Sequence, residues 1–305
     1  MPCDATDQPS PAALEAMAAT LEASGRYRVL RRVEPCVTIA PPPGTPTRLG
    51  LLLDLETTGL DPEQDEIIEL AMLPFTYGLD GTLYGVGEPF SRLRQPSRSI
   101  PPAVTSLTGL TDDMVAGHRI DPEEVARFIA PAALVVAHNA RFDRRFAERF
   151  CEAFAAKPWA CSLAQVDWAA EGFEGTRLGY LAMRCGLFFG GHRALHDCEA
   201  TLAILARPLP NTGVTGLARL LETARQPSWR IWAVEAPFEA KDRLKARGYR
   251  WNGEATAGQP RAWYTDVPEA LQQAELSFLW QEVYGREVDL PRQRLTAQER
   301  FSERG

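Results

Sequence analysis

An α/β fold, a mixed sheet with helices on both faces, is predicted by three observations. From Arg48 onward, short apolar runs alternate with amphipathic stretches. The first run, 51–56, is apolar enough for a central strand buried on both sides. The elements then follow as strand, two more strands, helix, strand and helix, an order that requires both parallel and antiparallel pairing.

The individual elements are justified in chain order. Residues 11–23 read as an amphipathic helix stopped by Gly25, followed by a strand over 27–33. The stretch 40–47, APPPGTPT, is a stiff linker, because repeated proline fixes φ and removes donors. After the central strand come strands over 67–73 and 83–90. The helix over 121–130 opens Asp-Pro-Glu-Glu, with acids in its first turn. A buried strand over 133–137 leads into a helix from Ala140, in which Phe142, Phe146, Phe150 and Phe154 recur every four residues as its buried stripe. Pro208, Pro210, Asn211 and Gly213 close this domain. A short helix over 217–224 precedes a strand over 229–234, a helix over 240–247, a strand over 261–265 and a helix over 268–284. The expected division is an extension and linker over 1–47, a main α/β domain over 48–207, and a linker with its short helix over 208–228. A small α+β module over 229–290 and a polar, loose tail over 291–305 complete it.

The 305 residues, 45 % of them hydrophobic, suffice for a full core. No apolar run approaches the length of about 18 residues that a membrane span needs, and the first 30 residues lack a signal-peptide pattern. A cytoplasmic protein without membrane partners is expected. The six cysteines form no C-x-x-C pair and no zinc spacing, so reduced thiols are expected. A net charge of −7 argues against coating duplex nucleic acid by counterion release. It does not argue against gripping one strand end through bound cations.

Three segments carry chemistry. The central strand runs into Asp54-Leu55-Glu56-Thr57-Thr58-Gly59. Side chains alternate along a strand, so Asp54 and Glu56 share one face while Leu53 and Leu55 enter the core. Adjacent carboxylates repel unless a cation lies between them, which suits Mg²⁺ or Mn²⁺. Taken alone, the pair also fits a solvated strand end. In His138-Asn139-Ala140-Arg141-Phe142-Asp143, the acid sits in the first helical turn, one residue off the phenylalanine stripe. It can face a metal there, or merely compensate the helix N-terminus. In the segment 192–200, Leu195, Cys198, Leu202 and Leu205 pin a helix to the sheet, and Asp197 projects off that stripe. His192 lies in the Gly190-Gly191 loop, where a general base can approach a water; His196 reads as a bystander.

Taken together, D-x-E-T-T-G, H-N-A-x-F-D and H-x-x-x-x-D resemble the motifs of the histidine-type DEDD exonucleases. These form the DnaQ-like family that includes the proofreading epsilon subunit of bacterial DNA polymerase III. The resemblance covers roughly residues 48–207. Secondary matches lie at Asp65-Glu66-Ile67-Ile68-Glu69-Leu70 and from Ile100 to Met114. It implies an RNase H-like fold with a five-stranded mixed sheet. It also implies two metal ions, Mg²⁺ or Mn²⁺ and about 4 Å apart, held by Asp54, Glu56, Asp143 and Asp197. His192 would take the proton of the attacking water. Thr57 would meet the terminal 3′ hydroxyl through its backbone, and Leu60 would pack on the terminal base, although Leu60 reads equally well as core. Asn139 would support the site indirectly. The implied activity is 3′→5′ exonucleolysis at nucleic-acid ends, on single-stranded or frayed DNA in proofreading or repair. Trimming of RNA 3′ ends is an alternative, because the motifs do not sense the 2′-hydroxyl; a polymerase-associated scaffold is a further one.

Beyond this domain, residues 241–251 hold five basic residues against one acid, followed by Trp251, Trp263 and Tyr264. Basic and aromatic residues together suit single-stranded nucleic acid, or else a solvated helix over a small aromatic core. Gln273-Ala274-Glu275-Leu276-Ser277-Phe278 resembles a sliding-clamp peptide, yet it sits in an amphipathic helix where burial is the expectation. A DNA polymerase or a sliding clamp is thus a possible partner on sequence grounds.

Overall fold

The computed structural model describes residues 9–34, 36, 38–256 and 258–303. Helix α1 (Pro11–Ala23) starts at a Ser10 cap and matches the expected range. The strand expected over 27–33 shrinks to β1 (Arg31–Arg32). The central strand β2 (Thr47–Thr57) lies between the antiparallel β3 (Ile67–Gly78) and a parallel neighbour described below. The run expected as one strand over 83–90 is two, β4 (Leu83–Val86) and β5 (Phe90–Leu93), both paired to the outer edge of β3. Between them, Pro89 has no N–H to give a ladder. Helices α2 (Pro102–Thr108), α3 (Asp112–Val115) and α4 (Pro122–Ile129) follow, the last capped by Asp121. Strand β6 (Leu134–Ala137) runs parallel to β2, and after α5 (Ala140–Phe150) the short β7 (Trp159–Cys161) runs parallel to β6. The sheet is mixed, five positions wide, with β4 and β5 sharing one of them. Helix α6 (Leu178–Arg184), β8 (Leu187–Phe188), which pairs with β1, and α7 (Ala194–Leu205) complete this part.

The two faces of β2 enter different cores. Leu51, Leu53 and Leu55 pack with Met72, Val135 and Phe146 under α4 and α5. Leu52 packs on the other side with Leu73, Val136 and Leu202, under α7. Asp54 and Glu56 share the parity of Leu52, so they emerge on the α7 side at the end of a doubly buried strand. The phenylalanine stripe belongs to the first core: Phe146 and Phe154 are buried, with Phe142 and Phe150 at its margin.

Helix α8 (Gly216–Arg225) sends Leu217, Leu220 and Leu221 into the core beneath α7. The remaining chain forms a four-stranded antiparallel sheet. Strand β9 (Ser228–Ala233) is central; helix α9 (Lys241–Ala246), β10 (Arg250–Trp251), β11 (Trp263–Pro268), helix α10 (Gln272–Phe278) and β12 (Arg292–Leu295) follow. Helix α10 lies within a continuous helical stretch from Glu269 to Tyr284. The clamp-like residues lie here. Leu276 is 2 % exposed, Glu275 is buried against Arg247 and Tyr249, and Phe278 packs beneath the Arg247 guanidinium. A clamp peptide must be extended and exposed, so the resemblance is a by-product of helical amphipathicity.

The expectation of a loose tail is overturned. Beyond β12, the Trp159 N–H donates to the Ala297 carbonyl at 2.7 Å, which joins the tail to the edge of the main sheet. Arg144, fully buried on α5, donates to the carbonyls of Gln298 at 2.6 Å and Arg300 at 2.7 Å and pairs with Glu148 at 2.6 Å. Arg300 in turn donates to the Gln226 carbonyl at 2.6 Å. The tail's carbonyls accept from the buried Arg144 of α5, and its own Arg300 donates to carbonyls at the end of α8, so its polar groups tie it to the rest of the fold. Replacing Arg144 by Ala would remove the cation beside Glu148 and the donor to these carbonyls, so denaturant unfolding should show a loss of about 3–5 kcal/mol. A loss below about 1 kcal/mol would mean that the tail does not act as a clasp.

Candidate metal centre

β2 delivers two acids to one spot because its last residues alternate and then bulge between Glu56 and Thr57. Helix α7 supplies a third. Carboxylate oxygens of Asp54, Glu56 and Asp197 lie within 4.8 Å of one another. Asp143, 2 % exposed in the first turn of α5, stands outside that tight group but acts on it electrostatically.

All four carboxyls are pushed up from the usual range. Burial raises Asp54 most, and Asp143, Asp197 and Glu56 add to it by repulsion. Burial also dominates for Glu56, which reaches about 8 with help from Asp197 and Glu69. Asp143 rises by burial and by repulsion from Glu56 and Asp197, against N–H donation from Leu55 and from its own backbone. Asp197 rises by burial as well, opposed by the Arg193 and His192 backbone N–H groups and by the His192 ring. No lysine or arginine forms an ion pair with any of the four among the described residues. Hard oxygen donors, crowded and lacking a cationic side chain, fit a divalent cation such as magnesium or manganese.

The loop before α7 is held from two sides. Arg193 lays its guanidinium on Glu69 at 3.0 Å, while its backbone N–H donates to Asp197 at 3.2 Å. Glu69 sits opposite Glu56 across the β2–β3 ladder and is 2 % exposed. His196 bonds the Gly190 carbonyl at 3.0 Å, so the expected bystander pins the loop. His192 between them is exposed, adopts a left-handed φ of 63°, and its ring forms no hydrogen bond among the described residues. The imidazole lies close enough to Asp197 to act on its carboxylate electrostatically.

The other expected positions fall as follows. Thr57 is buried, with its hydroxyl on the Gly59 carbonyl at 2.6 Å. Asp65 laces this turn through Thr58 and the Asp61 N–H. A Cβ on Gly59 would lie 2.4 Å from the Asp65 carboxylate, so a side chain there would have to displace the group that laces the turn. Leu60 stands at the tip, 81 % exposed, which excludes its reading as core. Asn139 takes a left-handed φ of 79° to turn β6 into α5, and its side chain does not cap the helix. Sequence reasoning named Glu69 without a role and passed over Arg193. It also missed His138 as a brace: this ring spans Ser162 and the Thr176 carbonyl, each at 2.8 Å.

With this geometry in view, the comparisons are informative. The sequence profile of the RNase T-type exonuclease family matches residues 51–205, the stretch that holds every acid of the cluster. The chain belongs to this exonuclease family. Over 166 residues it is 30 % identical to the DNA polymerase III subunit epsilon of Aquifex aeolicus, covering 52 % of this chain and 79 % of that one. Over 194 residues it is 30 % identical to the PolC-type DNA polymerase III of Thermotoga maritima, covering 62 % of this chain but only 14 % of the polymerase. Exonuclease X, solved in complex with 5′ overhanging duplex DNA, superposes with a TM-score of 0.40 at 26 % identity, over 57 % of this chain and 90 % of that one. No helix among the described residues is long and apolar enough to cross a membrane.

The crowded acids give the domain a testable pH signature. An acid whose pKa is higher folded than unfolded stabilises the fold below the ordinary carboxylate range and loses that contribution as pH rises through the folded value. In EDTA the melting temperature should therefore fall as pH climbs towards and past about 8, the region of Glu56. Mg²⁺ or Mn²⁺ should raise it more on the alkaline side than at pH about 6, because deprotonated ligands bind better. Differential scanning fluorimetry with wild type and Asp54→Asn checks this; equal metal shifts in both proteins would remove the cluster as the binding site.

Proposed function

We propose that this protein is a metal-dependent 3′→5′ exonuclease that shortens DNA from its 3′ end, releases nucleoside 5′-monophosphates, and serves proofreading or repair in the cytoplasm. The observation that carries the reading is the convergence of Asp54, Glu56 and Asp197 at the end of the central strand, with Asp143 beside them, in an exonuclease domain. The preference for DNA is supported by relatives named as a PolC-type DNA polymerase III and as a DNA polymerase III subunit epsilon. A polymerase is accordingly a candidate partner.

Asp54, Glu56, Asp143 and Asp197 would hold two divalent ions, Mg²⁺ or Mn²⁺. Such ions lower the pKa of a water and offset charge on the departing 3′ oxygen. The protein's own groups do the remaining work. His192 accepts the water's proton at a ring nitrogen, from a loop that Arg193 and His196 hold in reach of Asp197. Asp197 keeps that imidazolium favourable once formed. The Thr57 backbone, fixed by the Asp65-laced turn, meets the terminal 3′ hydroxyl, and exposed Leu60 packs on the terminal base. Asn139 acts through its backbone, by setting where α5 begins and hence where Asp143 points. Glu69 is a positioning residue, since it holds Arg193 and touches no reacting atom.

The test uses 5′-labelled DNA and RNA oligonucleotides of matched sequence with Mg²⁺, Mn²⁺ or EDTA. A metal-dependent ladder shortening from the 3′ end of DNA is expected, with RNA spared. Asp143→Ala should abolish turnover while remaining folded, and His192→Ala should slow it on the order of 10²–10⁴-fold. Near-normal rates in folded Asp143→Ala would sink the metal assignment. Faster loss of RNA would make the enzyme an exoribonuclease with the same residues.

A further inference from the structure

The C-terminal sheet carries an aromatic and basic surface that the catalytic cluster does not use. A slot of about 440 Å³ is lined by Ala236, Phe238, Lys241, Lys245, Trp251 and Trp263. Phe238 is 79 % exposed and Trp251 50 % exposed. The Lys241 ammonium lies 5.5 Å from the centre of the Phe238 ring, and the Trp251 and Trp263 rings are 5.5 Å apart. Tyr249, by contrast, is buried and donates to Glu275 at 2.9 Å. The aromatic residues of this module thus divide between a core and an open surface.

Trp251 also lines a second groove, of about 630 Å³, which reaches the catalytic helix. Here Arg141 of α5 meets Arg230 and Arg250 of the C-terminal sheet around one ring, that of Tyr264, at 5.7, 5.0 and 5.0 Å. Asp266 pairs with Arg230 at 2.7 Å and Arg250 at 3.1 Å. Arg141 donates to the Tyr264 hydroxyl at 2.6 Å and forms no ion pair among the described residues. Two guanidiniums thus share the Asp266 carboxylate, and that of Arg141 stands on the same ring. Of the acids that line the groove, Glu303 pairs with Arg145 inside it and Glu63 with Arg149 outside it, and Glu254 lines it as well. Arg141 is two residues from Asp143 in the first turn of the same helix.

We propose that these two grooves form one track for a single-stranded segment of the nucleic-acid substrate, with bases stacked on Trp251 and Phe238 and phosphates on Arg141, Arg250, Lys241 and Lys245. The inference rests on the exonuclease reading for which strand is held, but not for the surface itself. Open aromatic faces rimmed by cations suit a polymer of planar rings joined by anions. The two lysines repel cationic ligands, which aromatic cages otherwise attract. A duplex keeps its base faces stacked and offers nothing to Phe238 or Trp251.

The experiment measures binding without turnover. The full-length protein in EDTA is titrated into fluorescein-labelled oligothymidylate of about 20 nucleotides, read by anisotropy. Phe238→Ala and Trp251→Ala should each weaken binding about 5- to 100-fold. Lys241→Gln with Lys245→Gln should weaken it and flatten its dependence on salt between about 50 and 200 mM. Hydrolysis of the p-nitrophenyl ester of thymidine 5′-monophosphate, which fills only the catalytic end, should be unchanged in all these variants. Affinity within about twofold of wild type in folded Phe238→Ala and Trp251→Ala would overturn the track, as would equally tight binding of a blunt duplex. Hydrolysis that persists while the variants bind normally overturns the track and leaves the exonuclease. Binding that depends on these residues, in a protein that cleaves neither ester nor oligonucleotide, overturns the exonuclease and leaves the track.

Discussion

The repulsion between carboxylates at the end of the central strand is the constraint on which the rest of the structure depends. Those acids are held together by apolar packing, not by attraction to one another. Leu51, Leu53 and Leu55 lock one face of β2 into the α4–α5 core, and Leu52 locks the other under α7. A slip of one residue would drive Asp54 into the α4–α5 core and send Leu51, Leu53 and Leu55 to the α7 side, mismatching both. The strand therefore cannot move to separate the charges, and only protons or cations can relieve them. This is how a hydrophobic core of ordinary composition becomes a binding energy for metal.

Glu69 shows what the same surroundings do to an acid that has a partner. It lies across the ladder from Glu56, more deeply buried, and the Arg193 guanidinium pairs with it. That pairing has a second consequence. It occupies the nearest guanidinium, which would otherwise reach into the cluster and compete with a cation. Arg193 lowers Glu56 only in part, against burial and two acids that raise it. Fixing Arg193 also fixes the chain on one side of His192, and so keeps that residue beside Asp197.

Much of this was legible in the sequence where periodicity and chemistry coincide. The parity of Asp54 and Glu56, the start of α5 and the placement of Asp197 off a helical stripe all follow from local spacing, and each acid lies where that spacing puts it. Motif resemblance added the expectation of a nuclease. What could not be read depends on contacts distant in sequence. Glu69 and Arg193 are 124 positions apart, and Arg144 meets carbonyls more than 150 positions away. A polar tail looks loose by composition, because nothing local reveals that its carbonyls have buried arginines to accept from. The division of 83–90 into two strands turned on Pro89, a local signal that the apolar pattern around it concealed. Leu60 could be read as core or as contact because hydrophobicity alone does not say which way a turn points.

Helix α5 ties these levels together. Successive residues on a helix point about 100° apart, so neighbours in sequence serve different surroundings. Asp143 faces the carboxylate cluster, Arg144 enters the clasp of the C-terminal tail, and Arg141 reaches Tyr264 of the C-terminal sheet. One rigid element thereby sets the position of the acid, the attachment of the small sheet and the beginning of its basic groove. The arrangement also reconciles an acidic chain with an acidic polymer. Positive charge is not needed everywhere; arginines converge on one tyrosine in the groove beside α5, while at the cluster no arginine pairs with the carboxylates and a metal ion would take that role. The net charge of −7 describes the sum of these regions and none of them individually.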